Sequence, residues 1–449
     1  MKVYKPVDLP YSARETMKFS EEDTEKIDSI IFNATITGAW ETPQNIAFDV
    51  HDLNFWAYAI YKTEHPIVKP MVQTDIEQLL APFKQSLFSF NHEGFQLETI
   101  KTLSAVGDLM CTKGLENSKD KLYESVEVDL FQSDVIYANL ESTLTQGEIK
   151  SIEINSGDTP SISSNIEQYQ TMTAHKSRTI DIVQLANNHI LDCGEEGITT
   201  TVDQLKSDHI YCTGVNETEL EAFAPRIQEI SGLRIGWVAH TSDVNLKPIP
   251  DDKPWIVNIT PFHIEKNPDL TSICEQIKKC RANKCDLVIV TLHWGLEYEF
   301  YPHPDQIGWA KTIAEAGADI ILGHHPHVIQ PVQIINPSFD ASKSVPVIYS
   351  LGNLTPILSN PATVLSLIAK FKIGIGFLNN QKQVKVTSLE LKPVALVNEV
   401  DKEENVLKLI PVNDLLTINL DEYMEAYVTQ IANYADLVLG SNWRLSDEN

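Results

Sequence analysis

The stretch "GADIILGHHPHVIQP", Gly317 to Pro331, carries His324, His325 and His327 straight after an apolar run. In an extended segment, residues two apart point the same way, so the imidazoles of His325 and His327 face one pocket. Pro326 between them fixes one torsion and restricts its neighbour, which favours that extended shape. Neutral imidazole is the commonest metal ligand and suits Zn, Fe, Ni and Cu. Taken alone, the pair reads equally well as two half-exposed loop histidines. The same alternation turns His324 away from the shared pocket, into a supporting or structural place.

Similar side chains end other apolar runs: Asp108 in "VGDLM", Asn139 and Glu141 in "ANLEST", Asn188 and His189 in "LANNH", His293 in "TLHWG" and Asn353 in "YSLGN". Singly, each has an ordinary explanation as a turn residue, a helix cap or a solvated strand end. Jointly, these strand ends hold the inventory of a metal site. Two cations about 3.5–4 Å apart need a bridging carboxylate plus His, Asp and Asn ligands from several loops. Such a pair activates water and neutralises charge on a leaving oxygen.

The elements that must position these groups are apolar strands alternating with amphipathic stretches from about residue 99 onward, an α/β pattern. "DVIYANLE", "TIDIVQLANNH", "RIGWVAHT", "CDLVIVTLHWG", "ADIILGHHPH" and "VPVIYSLGN" read as strands; "GITTTVDQLKSDH" and "DQIGWAKTIAEAG" read as helices. Ligands of open α/β sheets bind outside the carboxyl ends of the strands, where the reactive side chains lie. Residues 1–98 form an N-terminal extension without a chemical motif, 99–395 the core domain, and 396–449 an acidic, largely helical segment packed on it.

The chain has 449 residues and a formal charge of -27, from 62 acidic and 35 basic residues. That balance excludes broad nucleic-acid binding, which needs clustered cations. The start of the sequence has no signal-type apolar segment, and no stretch approaches the roughly 20 apolar residues of a membrane span. Six cysteines without a CxxC pair indicate reduced thiols and a cytoplasmic location. Oligomeric state is not legible.

Read in order, "VGDLM", "ANLESTL", "LANNHILDCGEEGITTT", "HWGLEYEFYP", "GADIILGHHPHVIQPV" and "IYSLGN" resemble the CapA family of poly-γ-glutamate capsule biosynthesis proteins, which is similar to the calcineurin-like metallophosphoesterases. The resemblance runs from about residue 100 to 390. It implies a four-layer α-β-β-α sandwich with one or two divalent metal ions (Mn, Zn or Fe). Asp108 and His327 would bind the first metal, Glu141 would bridge, Asn188 and His293 would bind the second, and His325 would join them. His189 would be the catalytic acid, oriented by Asp192. Lys113, Glu297, Tyr298 and Asn353 are candidates to line the substrate cleft.

The implied function is metal-dependent hydrolysis of a γ-glutamyl amide or phosphoester, on a small molecule or a γ-glutamyl polymer. A phosphomonoesterase or nucleotidase is the enzymatic alternative, and a non-catalytic assembly factor for polyglutamate synthesis the other. Three departures from the phosphoesterase pattern bear on this. Leu109 and Met110 follow Asp108 where Asp-x-His is the rule, "NLE" replaces a glycine-aspartate bridge, and Lys113 stands where many relatives carry arginine.

Overall fold

The run Leu287–His293 is buried at every position, as a central parallel strand covered on both faces must be. The computed structural model in which it sits describes residues 2–44, 52–71, 73–150, 153–155, 158–340, 342–401 and 404–444. The strands that matter for the site are, in chain order, β1 (Gln96–Leu109), β2 (Val135–Leu140), β3 (Ile182–Gln184), β4 (Leu233–Thr241), β5 (Leu287–His293), β6 (Ile320–His324), β7 (Asn353–Thr355), β8 (Leu365–Leu378) and β9 (Gln381–Asp401).

They build two sheets, and the architecture is mixed α/β as the alternating pattern requires. The first runs Val3–Lys5, β9, β8, β1, β2, β3 and Tyr211–Thr213, with β7 beside the end of β1. The second runs Arg226–Ile230, β4, β5, β6, Val345–Ile348 and Val332–Ile335. The central strands of both are parallel, so their carboxyl ends share a rim. Register then aligns the reactive residues: Asp108 lies beside Asn139 and Asn353, and His293 beside His324. Tyr137 of β2 stacks on Trp237 of β4 at 5.4 Å, which joins the two sheets directly below that rim.

Two glycines permit the tight approach at the rim. A Cβ on Gly107 would stand 1.9 Å from the Gly352 carbonyl oxygen, and one on Gly323 1.9 Å from that of Tyr349. Each directly precedes a site residue, Asp108 or His324.

The HPH segment departs from its expected shape. β6 stops at His324, and His325 (φ 96°) and His327 (φ 58°) both adopt the left-handed backbone. The extended conformation read from Pro326 is therefore wrong. The two imidazoles reach one pocket through a pair of strained turns, a conformation that costs about 1–3 kcal/mol per residue and clusters at functional sites.

The termini are woven into the same framework. Val3–Lys5 pairs antiparallel with β9, and β9 itself runs through the 395/396 position. Helix α1 (Glu21–Thr37) and helix α2 (Leu53–Glu64) build a small apolar cluster of their own around Ile27, Ile31, Trp40 and Trp56. Near the other end, Asp421 caps a helix at Glu422–Leu439. Its buried Met424, Tyr427, Val428, Ile431, Ala435 and Val438 follow a helical period and face the main core. All six cysteines are free. Among the described residues no helix is long and apolar enough to cross a membrane.

One buried histidine of this framework predicts acid lability. His240, in β4, shares a hydrogen bond with the Thr260 hydroxyl through its Nδ1, and burial lowers its pKa to about 4. The unfolded chain, with an ordinary imidazole near 6.5, binds the proton first as pH falls, so stability drops between about 6.5 and 4. From pH 7 to pH 5 the wild type is expected to lose about 2 kcal/mol more than His240→Gln in urea unfolding. Equal losses would remove His240 from the account.

Candidate metal centre

Asp108 ends β1 fully buried, with its carboxylate spoken for on both oxygens. Oδ1 accepts from His324 Nδ1 at 2.7 Å and from Asn139 Nδ2 at 2.9 Å, and Oδ2 from the His325 amide at 3.3 Å. Burial opposes its charge, but the His324 and His327 imidazoles more than offset this and hold Asp108 below the usual carboxylate range. His324, on the far side of Asp108, is fixed by the Tyr137 hydroxyl at 3.0 Å. It thus orients a site carboxylate from behind, the supporting place its alternation assigned it.

Glu141, just after β2, is also fully buried. Its Oε2 accepts from Asn139 Nδ2 at 3.3 Å, while Oε1 has no hydrogen-bond partner among the described residues. That oxygen faces His293 Nε2 at 3.5 Å and His327 Nε2 at 3.9 Å. Burial and the neighbouring Asp108 carboxylate push Glu141 well above the usual range. Two carboxylates this close are stable only with a proton or a cation between them.

His327 is held by Asn353, whose Oδ1 accepts from Nδ1 at 2.9 Å. The network therefore assigns the lone pair to Nε2, on the side of Glu141. Asn353, expected at the substrate, instead sets the tautomer of a ligand. His293 Nε2 lies 2.9 Å from Asn188 Oδ1 and 3.5 Å from Glu141 Oε1, so Asn188, His293 and Glu141 converge as a third edge of the same centre. Burial, reinforced by His325, keeps His293 neutral.

Two sets of potential ligand atoms result, each within 4.8 Å of one another: Asp108, Glu141 and His327, and Glu297, His325 and His327. His327 belongs to both. His325 Nδ1, like Glu141 Oε1, is buried without a hydrogen-bond partner among the described residues. An unsatisfied buried carboxylate oxygen in one set and an unsatisfied buried imidazole nitrogen in the other fit divalent cations with nitrogen and oxygen ligands. Glu297, read from the sequence as a cleft residue, stands among these ligands. Burial opposes its charge, but His325, His327 and Lys62 hold it below the usual carboxylate range.

His189 stands at the edge of this centre, in the turn after β3. Its Nδ1 donates to Asp192 Oδ2 at 2.7 Å, and the same oxygen accepts from the Ile162 amide at 2.6 Å. Both side chains are buried. Tyr298 lines the cleft with His189, Glu297 and His327. Lys113 lies elsewhere, an exposed ammonium paired with Asp8 at 2.7 Å. Two further residues complete the set: Asn139, a strand-end residue with no role assigned from the sequence, and Asn245, passed over in the sequence. Asn139 bonds Asp108 and Glu141, and Asn245 accepts from Asn188 Nδ2 at 3.2 Å. Asn245 sits in "TSDVN", the polar end of β4, so the strand-end rule that found the others would have found it too.

A family model described as bacterial capsule synthesis protein PGA_cap matches residues 102–356, a span that holds every candidate metal ligand and the His189–Asp192 pair. The "Capsule biosynthesis protein CapA" of Bacillus anthracis is 30% identical over 263 residues, 56% of this chain and 59% of that protein. The "PGA biosynthesis protein CapA" of Bacillus subtilis is 28% identical over 265 residues, 57% of this chain and 63% of its own length. A Mycobacterium tuberculosis protein named "Probable polyglutamine synthesis accessory protein" is 26% identical over 187 residues, covering 38% and 44%. The matched region thus spans less than two thirds of each of these relatives.

Proposed function

The chain belongs to the bacterial capsule synthesis protein family PGA_cap, and from that premise we propose that it is a metal-dependent hydrolase of capsule or poly-γ-glutamate metabolism. Its proposed scaffold is the metallophosphoesterase-type α-β-β-α sandwich, and its proposed substrate a γ-glutamyl amide or phosphoester. The observation that carries the reading is Glu141 Oε1, a fully buried carboxylate oxygen without a hydrogen-bond partner among the described residues, which faces two imidazole nitrogens.

A divalent cation, when bound, supplies Lewis-acid polarisation and an activated water. Asp108, Glu141, Asn188, His293, Glu297, His325 and His327 are the residues that would hold it. The chain's own contributions are orientation and a proton. The Asp192 carboxylate fixes the His189 ring through Nδ1, which leaves Nε2 as the nitrogen that would pass a proton to the departing atom. Burial of the pair keeps that proton from exchanging freely with solvent.

Charge near this pair supports an anionic substrate, despite the chain's net -27. The Lys150 ammonium donates to the Asp192 carbonyl, and that of Lys247 to Thr159 and to Ser161 Oγ, the latter at 2.7 Å. Neither makes an ion pair among the described residues. Lys247→Met is expected to raise KM for a γ-glutamyl oligomer about tenfold, ~1.4 kcal/mol, with kcat nearly unchanged. An unchanged KM would take Lys247 out of substrate binding.

The test of the function is turnover by protein loaded with Mn, Zn or Fe against γ-glutamyl oligomers and aryl phosphates. Preference for the aryl phosphates would select the phosphomonoesterase alternative. One feature favours a non-catalytic accessory role. Met110 is packed among Ile162, Ile357 and Leu358, so the position just after β1 offers apolar surface rather than another ligand. Absence of turnover by metal-loaded protein on every substrate would select that role.

A further inference from the structure

The N-terminal segment has no motif and lies outside the matched family region, yet it lies against the metal centre. Met17, Phe55, Trp56 and Ala59 line the same cleft as His189 and His327. The segment is also fastened there. Lys62 Nζ donates to the Glu297 carbonyl at 2.7 Å, and the Tyr58 hydroxyl to Glu299 Oε1 at 3.0 Å. Lys62 and Glu299 also approach to 4.0 Å with both side chains nearly sealed from solvent, at 10% and 3% exposure. An ammonium and a carboxylate are buried together only where each has partners, so this is a built contact rather than a chance one.

The cavity left between roof and centre is about 50 Å³. Sites that hold drug-sized ligands measure about 300–1,000 Å³. There is room for a small group, and none for a polymer strand passing through. The walls differ in character as well: the centre's side is imidazole, carboxylate and phenol, whereas the roof's side is aromatic and aliphatic.

We propose that residues 11–44 and 52–64 form a roof that sets the specificity of the centre, admitting a small substrate or a chain terminus whose methylene groups lie against Met17 and Trp56, and excluding the interior of a polymer. This rests on the hydrolase reading for its substrate, but the roof itself is measurable without metal or turnover. A γ-glutamyl terminus meets both walls, since each unit carries two methylenes between its amide and its charged α-carbon.

Two measurements on the full-length protein separate the roof from the reading. The first is carbethoxylation of His189 and His327 in metal-free protein by diethylpyrocarbonate, followed by mass spectrometry, with exposed His209 as internal reference. In Trp56→Ala both site histidines are expected to react at least about fivefold faster relative to His209, because the wall over them has been cut back. Tyr58→Phe, which removes the hydroxyl's bonds to Glu299 and to the Gln44 amide but keeps the ring, gives a smaller rise in the same direction and serves should Trp56→Ala fail to fold. Equal rates in wild type and variants overturn the roof.

The second is the ratio of kcat/KM for a ten-unit γ-glutamyl chain with both ends blocked to that for di-γ-glutamate. It is expected to rise about tenfold in Trp56→Ala. A ratio that stays constant in an active enzyme overturns the selection. A wild type inactive toward both substrates overturns the hydrolase reading and leaves the roof to the carbethoxylation result.

Discussion

Replacing His327 by alanine is expected to remove bound metal from both ligand sets at once, lowering metal content more than about tenfold. Among the described residues no other stands in the same position. His327 shares one set with Asp108 and Glu141 and the other with His325 and Glu297. Its Nε2 is aimed at Glu141, and Asn353 holds its Nδ1. His325→Ala and Glu297→Gln each cut only the second set, so they should retain the part of the metal held by the first. Asn353→Ala leaves every ligand in place but frees the ring, which is expected to weaken affinity about 10–100-fold. The readouts are elemental analysis after gel filtration and the rise in melting temperature on adding metal. A ligand concentration of 100 times Kd stabilises a folded protein by about 2.7 kcal/mol, and His327→Ala should lose that increment. Retention of full metal content by His327→Ala would separate this histidine from the centre.

The second large effect is at His189. Its alanine variant is expected to keep its metal and lose about 10²–10⁴ in kcat, the usual contribution of a positioned acid or base. The separation follows from geometry, because His189 is bonded to Asp192 and belongs to neither ligand set. The loss should shrink when the leaving group is a good one, such as a nitrophenolate, since such a group needs no proton to depart. Asp192→Asn keeps the shape of the pair but loosens the hold on the His189 ring, so it should show a smaller loss. Equal losses for good and poor leaving groups would assign His189 to substrate positioning instead. Loss of metal along with activity would make it a ligand.

How far the sequence carried this account differs from residue to residue. Asp108, Glu141, Asn188 and His293 were legible because parallel strands gather their carboxyl ends on one rim, and a polar residue ending a buried run is easy to see. The His189–Asp192 pair was legible because three residues separate them in one turn. The shape of HPH was not. Proline rules predict an extended His325, whereas the tertiary contacts impose positive φ on both flanking residues. The role of Glu297 was hidden because it lies in a loop, where no periodicity shows the direction of a side chain. The roof was illegible for a deeper reason. Trp56, Tyr58 and Lys62 sit on one short helix whose pattern reads as ordinary packing, and only the fold brings it to residues more than 200 positions away.

The central claim is that the buried carboxylates and imidazoles at this rim hold a cation rather than a shared proton. Glu141 decides between them, because its unpartnered oxygen is satisfied by either. The most direct measurement is the metal stoichiometry of wild type and Glu141→Gln after equilibration with Mn, Zn or Fe and gel filtration. The account predicts one or two divalent ions per chain in the wild type and a marked loss in the variant. A wild type that binds none of the three metals, or a Glu141→Gln protein that binds them as well as wild type does, would contradict it.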